Sequence, residues 1–100
     1  MMKVLAVCGL GIGSSIILKI NVGRILDELG IKDYSLDVAD IGTARSMPFD
    51  MVVTSVELAG VLKHNVREEK HFRILPINNF VDKNEMREKV KGCLAKLNKI

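Results

Sequence analysis

The chain has 100 residues, of which 48% are hydrophobic and only 4% aromatic, and 15 basic against 12 acidic residues give a formal net charge of +3. This length predicts a single domain over residues 1–100, with an aliphatic core that is typical of a buried parallel sheet. Basic and acidic residues are interspersed, which argues against nucleic-acid binding. The two cysteines lack metal-ligand spacing, so we expect no disulfide framework, no metal and no cofactor.

Neither a membrane span nor a secretion signal is predicted. No apolar run approaches the roughly 18 residues that a membrane-spanning helix needs. The segment from Met1 to Leu10 resembles a strand rather than a cleavable signal. We therefore expect a cytoplasmic protein without direct membrane insertion.

The first two predicted elements are a strand and a helix joined by a glycine-rich segment. Lys3 to Val7 is an aliphatic run that predicts a buried strand. In the helix that follows, Gly30 and then Ile31 predict the C-terminal end. The apolar residues expected to form its buried face are Ile16, Ile17, Ile20, Ile25, Leu26 and Leu29.

The middle of the chain predicts two further strands and a helix. Tyr34 to Ala39 has the period of two that is typical of an edge or half-buried strand, and Asp40 to Pro48 is predicted as a loop with space for one helical turn. Met51 to Val53 forms the centre of a third strand. Thr54 and Glu57 have capping-box spacing for a helix to about Lys63, with Val53 and Leu58 placed as a hydrophobic staple.

The last elements predicted are a strand and a helix. Phe72 to Ile77 is the fourth strand, with Pro76 near its end, where a missing hydrogen-bond donor is tolerated. The final helix begins after Asp82, with Glu85 at capping distance. Its predicted apolar face consists of Met86, Val90, Cys93, Leu94 and Leu97. The alternation of strands and helices predicts an α/β fold with a four-stranded parallel sheet covered by helices on both faces.

The glycine-rich segment after the first strand is the candidate functional site. Its residues are Cys8, Gly9, Leu10, Gly11, Ile12, Gly13, Ser14 and Ser15. Ligands of open parallel sheets bind beyond the carboxyl ends of the strands, where the strand order reverses. Alternating glycines let several N–H groups point inward, and the next helix adds its positive N-terminus. The segment therefore predicts a site for a phosphate-like anion.

Cys8 is the candidate nucleophile of this segment. A free thiol has a pKa of about 8.5, and a helix N-terminus can lower that pKa enough to populate the thiolate near neutral pH. The alternative is a buried structural cysteine, but packing alone does not explain a glycine-rich segment at the end of a strand. Ser14 and Ser15 can donate hydroxyl hydrogen bonds to phosphate, and Ser14 can also cap the helix.

Other residues with reactive or charged side chains are assigned lesser roles. Cys93 lies on the apolar face of the last helix, which predicts a structural residue. His64 and His71 flank a charged loop and are expected at the surface, where an accessory role in proton donation is the less favoured alternative. Lys19 and Arg24 on the first helix face either solvent or a partner.

The spacing within the glycine-rich segment argues against two kinds of phosphate chemistry. No Gly-Lys-Ser/Thr follows, and Ser14 stands where G-x-G-x-x-G has its third glycine, which argues against nucleotide binding. Small tyrosine phosphatases carry an arginine six positions after the cysteine, and that position is also Ser14. Without this bidentate guanidinium, hydrolysis of a phosphate monoester loses transition-state stabilisation. A thiolate that accepts and passes on a phosphoryl group therefore fits better than a phosphatase.

These residues resemble the ascorbate-type IIB components of the bacterial sugar phosphotransferase system, in the lactose/ascorbate/galactitol IIB group. The resemblance covers essentially the whole chain and is most specific around Cys8. It is carried by Val4-Leu5-Ala6-Val7-Cys8-Gly9, Gly11, Gly13-Ser14-Ser15 and the helix with Lys19, and by Val52-Val53-Thr54-Ser55 and Leu58-Ala59-Gly60.

The resemblance implies a fold similar to small tyrosine phosphatases and a role for Cys8 as the phosphorylated residue, with Gly9 to Ser15 as the phosphate loop. It implies a IIA phosphohistidine as donor, and as acceptor a sugar, ascorbate or a related carbohydrate, held by a membrane IIC partner. The alternatives are a IIB-like regulatory domain of a transcription regulator and, less favoured, a small phosphatase. A separate chain of 100 residues favours the carrier over the regulatory domain.

Overall fold

The computed structural model describes residues 1–7 and 12–98, with the backbone alone described for residues 12–15. Four strands alternate with helices along the described chain. The elements are β1 (Met2–Val7), α1 (Ile12–Glu28), β2 (Tyr34–Ala39), α2 (Ile41–Ala44), β3 (Met51–Ser55), α3 (Val56–Lys63), a 3₁₀ helix (Glu68–Arg73), β4 (Ile74–Ile77) and α4 (Lys83–Lys96).

The strands form one parallel sheet in the order β2-β1-β3-β4. The predicted α/β fold with a four-stranded parallel sheet is thereby confirmed. Val7 at the end of β1 is in register with Ala39 of β2 and with Thr54 of β3. The carboxyl ends of the two central strands therefore lie side by side.

Each face of the sheet carries its own apolar core. Val4 and Ala6 of β1 pack into the cluster that includes α1 and α4, whereas Leu5 and Val7 pack into the cluster that includes α2 and α3. This alternation is the period of two of a strand whose faces are both covered. The prediction that helices cover both faces is confirmed.

The buried face of α1 differs in part from the predicted one. Its fully buried apolar residues are Leu18, Val22, Ile25 and Leu26, and Leu29 packs partly buried against the same cluster. The prediction was wrong for Ile16, Ile17 and Ile20, whose side chains are 45%, 48% and 49% exposed. Apolar residues extend round more than one side of this helix, so spacing alone did not identify the face that meets the sheet.

The C-terminal end of α1 is closed as predicted. Gly30 has a φ of 80°, the left-handed conformation that glycine adopts without steric cost. The N–H of Gly30 donates to the carbonyl of Asp27, and the N–H of Ile31 donates to that of Leu26. This pair of hydrogen bonds is a Schellman motif, and Ile31 packs against the core beside it.

The start of α3 corrects the predicted capping box. Ser55, not Thr54, is the N-cap, because its side chain accepts a hydrogen bond from the N–H of Leu58 over 3.3 Å. The predicted staple is also wrong, since Val53 packs in the cluster with α1 and α4 whereas Leu58 packs against the other cluster. The predicted end of the helix at Lys63 is confirmed.

The fourth strand begins later than predicted. Phe72 belongs to the 3₁₀ helix over Glu68–Arg73, and β4 spans Ile74–Ile77. Because β4 lies at the edge of the sheet, Pro76 is tolerated there despite its missing N–H.

The last helix follows the prediction closely. Asp82 is its N-cap and accepts a hydrogen bond from the N–H of Glu85 over 3.1 Å. The fully buried residues of α4 are Met86, Val90, Cys93 and Leu94, and Leu97 packs partly buried against the same cluster. Over residues 1–7 and 12–98, no helix is both long and apolar enough to cross a membrane.

Candidate functional site

The strand order reverses between β1 and β3. From β1 the chain passes through α1 to β2 on one side, and then through α2 to β3 on the other side of β1. In open parallel sheets the crevice at such a reversal, beyond the carboxyl ends of the strands, is where ligands bind. At this place β1 ends at Val7, and the next described element, α1, begins at Ile12.

A buried hydroxyl ties the two central strands together at the reversal. Thr54 is 0% exposed, and its Oγ1 donates a hydrogen bond to the carbonyl oxygen of Val7 over 2.8 Å. Val7 directly precedes Cys8, so this bond fixes the backbone from which the glycine-rich segment begins. Sequence reasoning missed this role because it assigned Thr54 to a helix cap; the available signal was a hydroxyl at the carboxyl end of a strand.

The structure describes only part of the predicted site. Cys8, Gly9, Leu10 and Gly11 lie outside the described residues, and the side chains of Ile12, Ser14 and Ser15 do as well. Their roles in phosphate binding and in catalysis stay predictions.

The backbone of α1 corrects one part of the site prediction. Because α1 begins at Ile12, the residues Ile12, Gly13, Ser14 and Ser15 form its first turn, and Ser14 is not its N-cap. The first N–H groups of a helix have no partner within the helix. This turn contains no acidic residue, so its N–H groups suit an anion at the mouth of the crevice.

The helices α2 and α3 also start at this edge of the sheet with polar caps. Asp40 follows β2 and caps α2, accepting a hydrogen bond from the N–H of Thr43 over 2.6 Å. That backbone hydrogen bond lowers the pKa of the Asp40 carboxyl. Ser55 at the end of β3 caps α3. Like that of α1, the N-termini of α2 and α3 therefore lie at the edge where β1 ends; their positive ends favour negative charge, which at α2 the Asp40 carboxylate already supplies.

A carboxylate holds the loop after β4 at this edge. Glu85 accepts hydrogen bonds from the N–H groups of Asn78 and Asn79 over 2.8 and 3.0 Å. The first of these bonds, followed by the ammonium of Lys89, lowers the pKa of Glu85 to about 2. From the other side, the buried Asn21 of α1 donates to the carbonyl of Phe80 over 3.0 Å. The loop is thus fixed both to α4 and to α1.

The other cysteine and the two histidines lie away from this edge. Cys93 is 3% exposed within the core, and burial raises its pKa to about 11, which confirms the predicted structural role. The Nε2 of His71 lies 2.9 Å from the carbonyl oxygens of Lys63 and Val66, so His71 ties the 3₁₀ helix to the end of α3. His64 is exposed just after α3. Both histidines are therefore at the amino edge of β4, opposite the end of β1.

Replacing Thr54 by valine should loosen the end of β1. Thr54→Val keeps the shape of the side chain but removes the hydrogen bond to Val7, and a buried carbonyl that loses a partner costs about 1–3 kcal/mol. We expect a loss of about that size in the free energy of unfolding, measured by urea denaturation. Thr54→Ser keeps the hydroxyl and is the matched control. Equal stability of Thr54→Val and the unsubstituted chain would contradict the positioning role.

Comparisons with known proteins give concordant results. The family model "PTS system, Lactose/Cellobiose specific IIB subunit" matches residues 3–92. The "Ascorbate-specific PTS system EIIB component" of Mycoplasma pneumoniae is 26% identical over 95 residues, covering 93% of this chain and 95% of that protein. The chain also superposes on the crystal structure of a protein tyrosine phosphatase from Entamoeba histolytica over 100% of both chains, with a TM-score of 0.57 and 13% identity. The two proteins therefore have a similar fold.

Proposed function

The chain belongs to the lactose/cellobiose-specific IIB family of the sugar phosphotransferase system, and from this premise we propose that Cys8 carries the phosphoryl group. IIB components work with a IIA protein and a membrane IIC protein, so the proposed donor is a IIA phosphohistidine. The proposed acceptor is a hydroxyl of a sugar held by IIC. The observation that carries the proposal is the family match over residues 3–92, which includes Cys8, the residue that follows β1 in the sequence.

The proposed transfer has two balanced steps. The thiolate of Cys8 attacks phosphorus, the S–P bond forms, and the P–N bond to the donor histidine breaks, leaving that imidazole to take up a proton. A sugar hydroxyl then attacks phosphorus and loses its proton, the O–P bond forms, and the S–P bond breaks to return the thiolate. The N–H groups at the start of α1 would stabilise the negative phosphoryl oxygens in both steps.

Hydrolysis is the poorer alternative. A phosphatase must activate water and stabilise its transition state, for which small tyrosine phosphatases use the arginine that Ser14 replaces here. The structural similarity to the Entamoeba phosphatase concerns the fold alone. A carrier needs no activated water. The donor imidazole is the leaving group of the first step, and the sugar hydroxyl is the nucleophile of the second.

Ascorbate or a related carbohydrate is the proposed sugar. Support comes from the name of the Mycoplasma relative, which is similar over nearly its whole length. The sugar would be bound by the IIC protein and not by this chain. Uptake assays with membranes that contain the cognate IIC protein would therefore identify it.

Exposed apolar residues next to the glycine-rich segment provide a surface for the donor. Ile16, Ile17 and Ile20 lie within the first three turns of α1 and are each close to half exposed. The donor must reach Cys8, just before this helix, so its protein surface would cover these side chains. Burial of exposed aliphatic side chains is a favourable contribution to such an encounter.

The test is phosphorylation of the purified chain. The protein is incubated with phosphoenolpyruvate, the general phosphotransferase enzymes and an ascorbate-type IIA protein, and the adduct is mapped by intact and peptide mass spectrometry. We expect one IIA-dependent phosphoryl group on the peptide that contains Cys8. Absence of an adduct with several active IIA proteins would favour the regulatory domain, and release of phosphate from an aryl phosphate would favour the phosphatase.

The same assay tests the donor surface. Ile17→Ser together with Ile20→Ser should slow transfer from IIA several-fold, because each change removes part of the apolar area that IIA would bury. Val61→Ser is the matched control, since Val61 is 38% exposed on α3, away from α1. Equal rates of phosphoryl transfer for all variants would show that the IIA protein contacts a different surface of the chain.

A further inference from the structure

A basic cleft lies at the edge of the sheet opposite the carboxyl end of β1. It has a volume of about 310 Å³ and is lined by residues that follow α2, follow α3 and precede β4. Four of the lining residues are basic, namely Arg45, Arg67, Lys70 and Arg73, and none is acidic. Because β3 and β4 start beside these segments, the cleft lies at the amino ends of the strands.

The apolar part of the lining is anchored to the core. Met47, Phe49 and Val66 are half-buried and pack against the cluster that includes α2 and α3. These side chains form a fixed surface on which the carbon skeleton of a ligand could rest. The combination of anchored apolar side chains and a few charged groups is typical of small-molecule sites.

The charges of the cleft are poorly neutralised by the protein. Arg67 lies 4.0 Å from Glu69, and both side chains are highly exposed, so this ion pair contributes little. Among the described residues, no carboxylate forms an ion pair with Arg45, Lys70 or Arg73. Four basic residues therefore line one concave surface, whose positive charge attracts an anion.

The guanidinium of Arg73 provides a second, independent observation. Its Nε atom is buried, and no acceptor for its N–H lies among the described protein groups. A buried donor without a partner costs about 1–3 kcal/mol. Stacking of the guanidinium 5.6 Å from the ring of Phe72 holds it in place. An anion in the cleft would supply the acceptor that this N–H lacks.

We propose that the cleft binds a small phosphate monoester, of the size of a sugar phosphate. A dianion matches several cations better than a single carboxylate does, and arginine forks bind phosphate oxygens in pairs. A volume of about 310 Å³ suits a single phosphorylated sugar. The cleft lies at the amino ends of the strands, whereas the proposed phosphoryl site lies beyond their carboxyl ends.

Titration of the isotope-labelled full chain with glucose 6-phosphate, followed by NMR, tests the proposal. We expect shifts of the backbone amides of Phe49, Val66 and Arg67, and no such shifts with glucose. Arg73→Gln should weaken binding about tenfold or more, because it removes a charge-assisted hydrogen bond. Lys70→Gln, on an exposed residue, should weaken binding several-fold without affecting the fold. Lys91→Gln, exposed on α4 outside the cleft, is the matched control and should bind normally.

Three results would overturn the proposal. In the first, glucose 6-phosphate shifts only the backbone amides of residues 8–15, which would place all anion binding at the Cys8 segment. Another is unchanged affinity in both Arg73→Gln and Lys70→Gln. The third is binding to vesicles of anionic phospholipid without binding of glucose 6-phosphate, which would show that the basic surface meets lipid head groups and not a free phosphate ester.

Discussion

Cys8→Ser should abolish phosphoryl acceptance while leaving the fold intact. The serine hydroxyl has a far higher pKa than a thiol and supplies almost no anionic nucleophile near neutral pH, whereas the backbone of the glycine-rich segment is unchanged by the substitution. In the IIA-dependent assay we expect no adduct above background by intact mass spectrometry. The thermal unfolding midpoint should stay close to that of the unsubstituted chain.

Cys93→Ser is the informative control for this prediction. It removes the other thiol, which lies in the core 3% exposed, and so it should lower stability without preventing phosphorylation at a temperature where the variant is folded. Robust labelling of Cys8→Ser at another residue would refute Cys8 as the carrier. Loss of labelling in both variants would instead point to a general loss of structure, which circular dichroism would reveal.

The parts of the fold that follow from local signals were predictable from the sequence. The bounds of β2, Tyr34–Ala39, were predicted and found, because an alternating run there is bracketed by polar residues. Gly30 marked the end of α1 because the left-handed conformation required there is one that glycine adopts readily. Asp82 and Glu85 marked the start of α4 for a similar local reason.

Features that depend on long-range packing were not predictable in this way. Thr54 and Ser55 both carry hydroxyls suited to an N-cap, and only the pairing of β1 with β3 gives Thr54 a different partner, 47 residues away. The exposure of Ile16 depends on which side of α1 meets the sheet. The basic cleft combines Arg45 with Arg73 from segments that no sequence spacing relates.

The two thiols should differ in reactivity by orders of magnitude. Burial raises the pKa of Cys93 to about 11, and the nearby charges of Arg73 and Lys96 only partly offset this effect. Since the thiolate is the reactive form, about one part in a thousand of Cys93 would be reactive at pH 8, before its burial slows access further. Cys8 is expected to be largely reactive near neutral pH. Iodoacetamide should therefore modify one thiol per native chain and two per chain in denaturant.

The pH dependence of labelling separates the effect of the raised pKa of Cys93 from the effect of its restricted access. The unfolded chain loses the Cys93 proton near the ordinary pKa of a free thiol, whereas in the folded chain burial raises the pKa of Cys93 to about 11. Between these values the unfolded state binds fewer protons, so stability declines as pH rises and Cys93 labelling increases. In Cys8→Ser, native labelling at neutral pH should fall to background. Fast native labelling of Cys93 at neutral pH would contradict its buried position, and slow labelling of Cys8 would contradict an activated thiolate beside the start of α1.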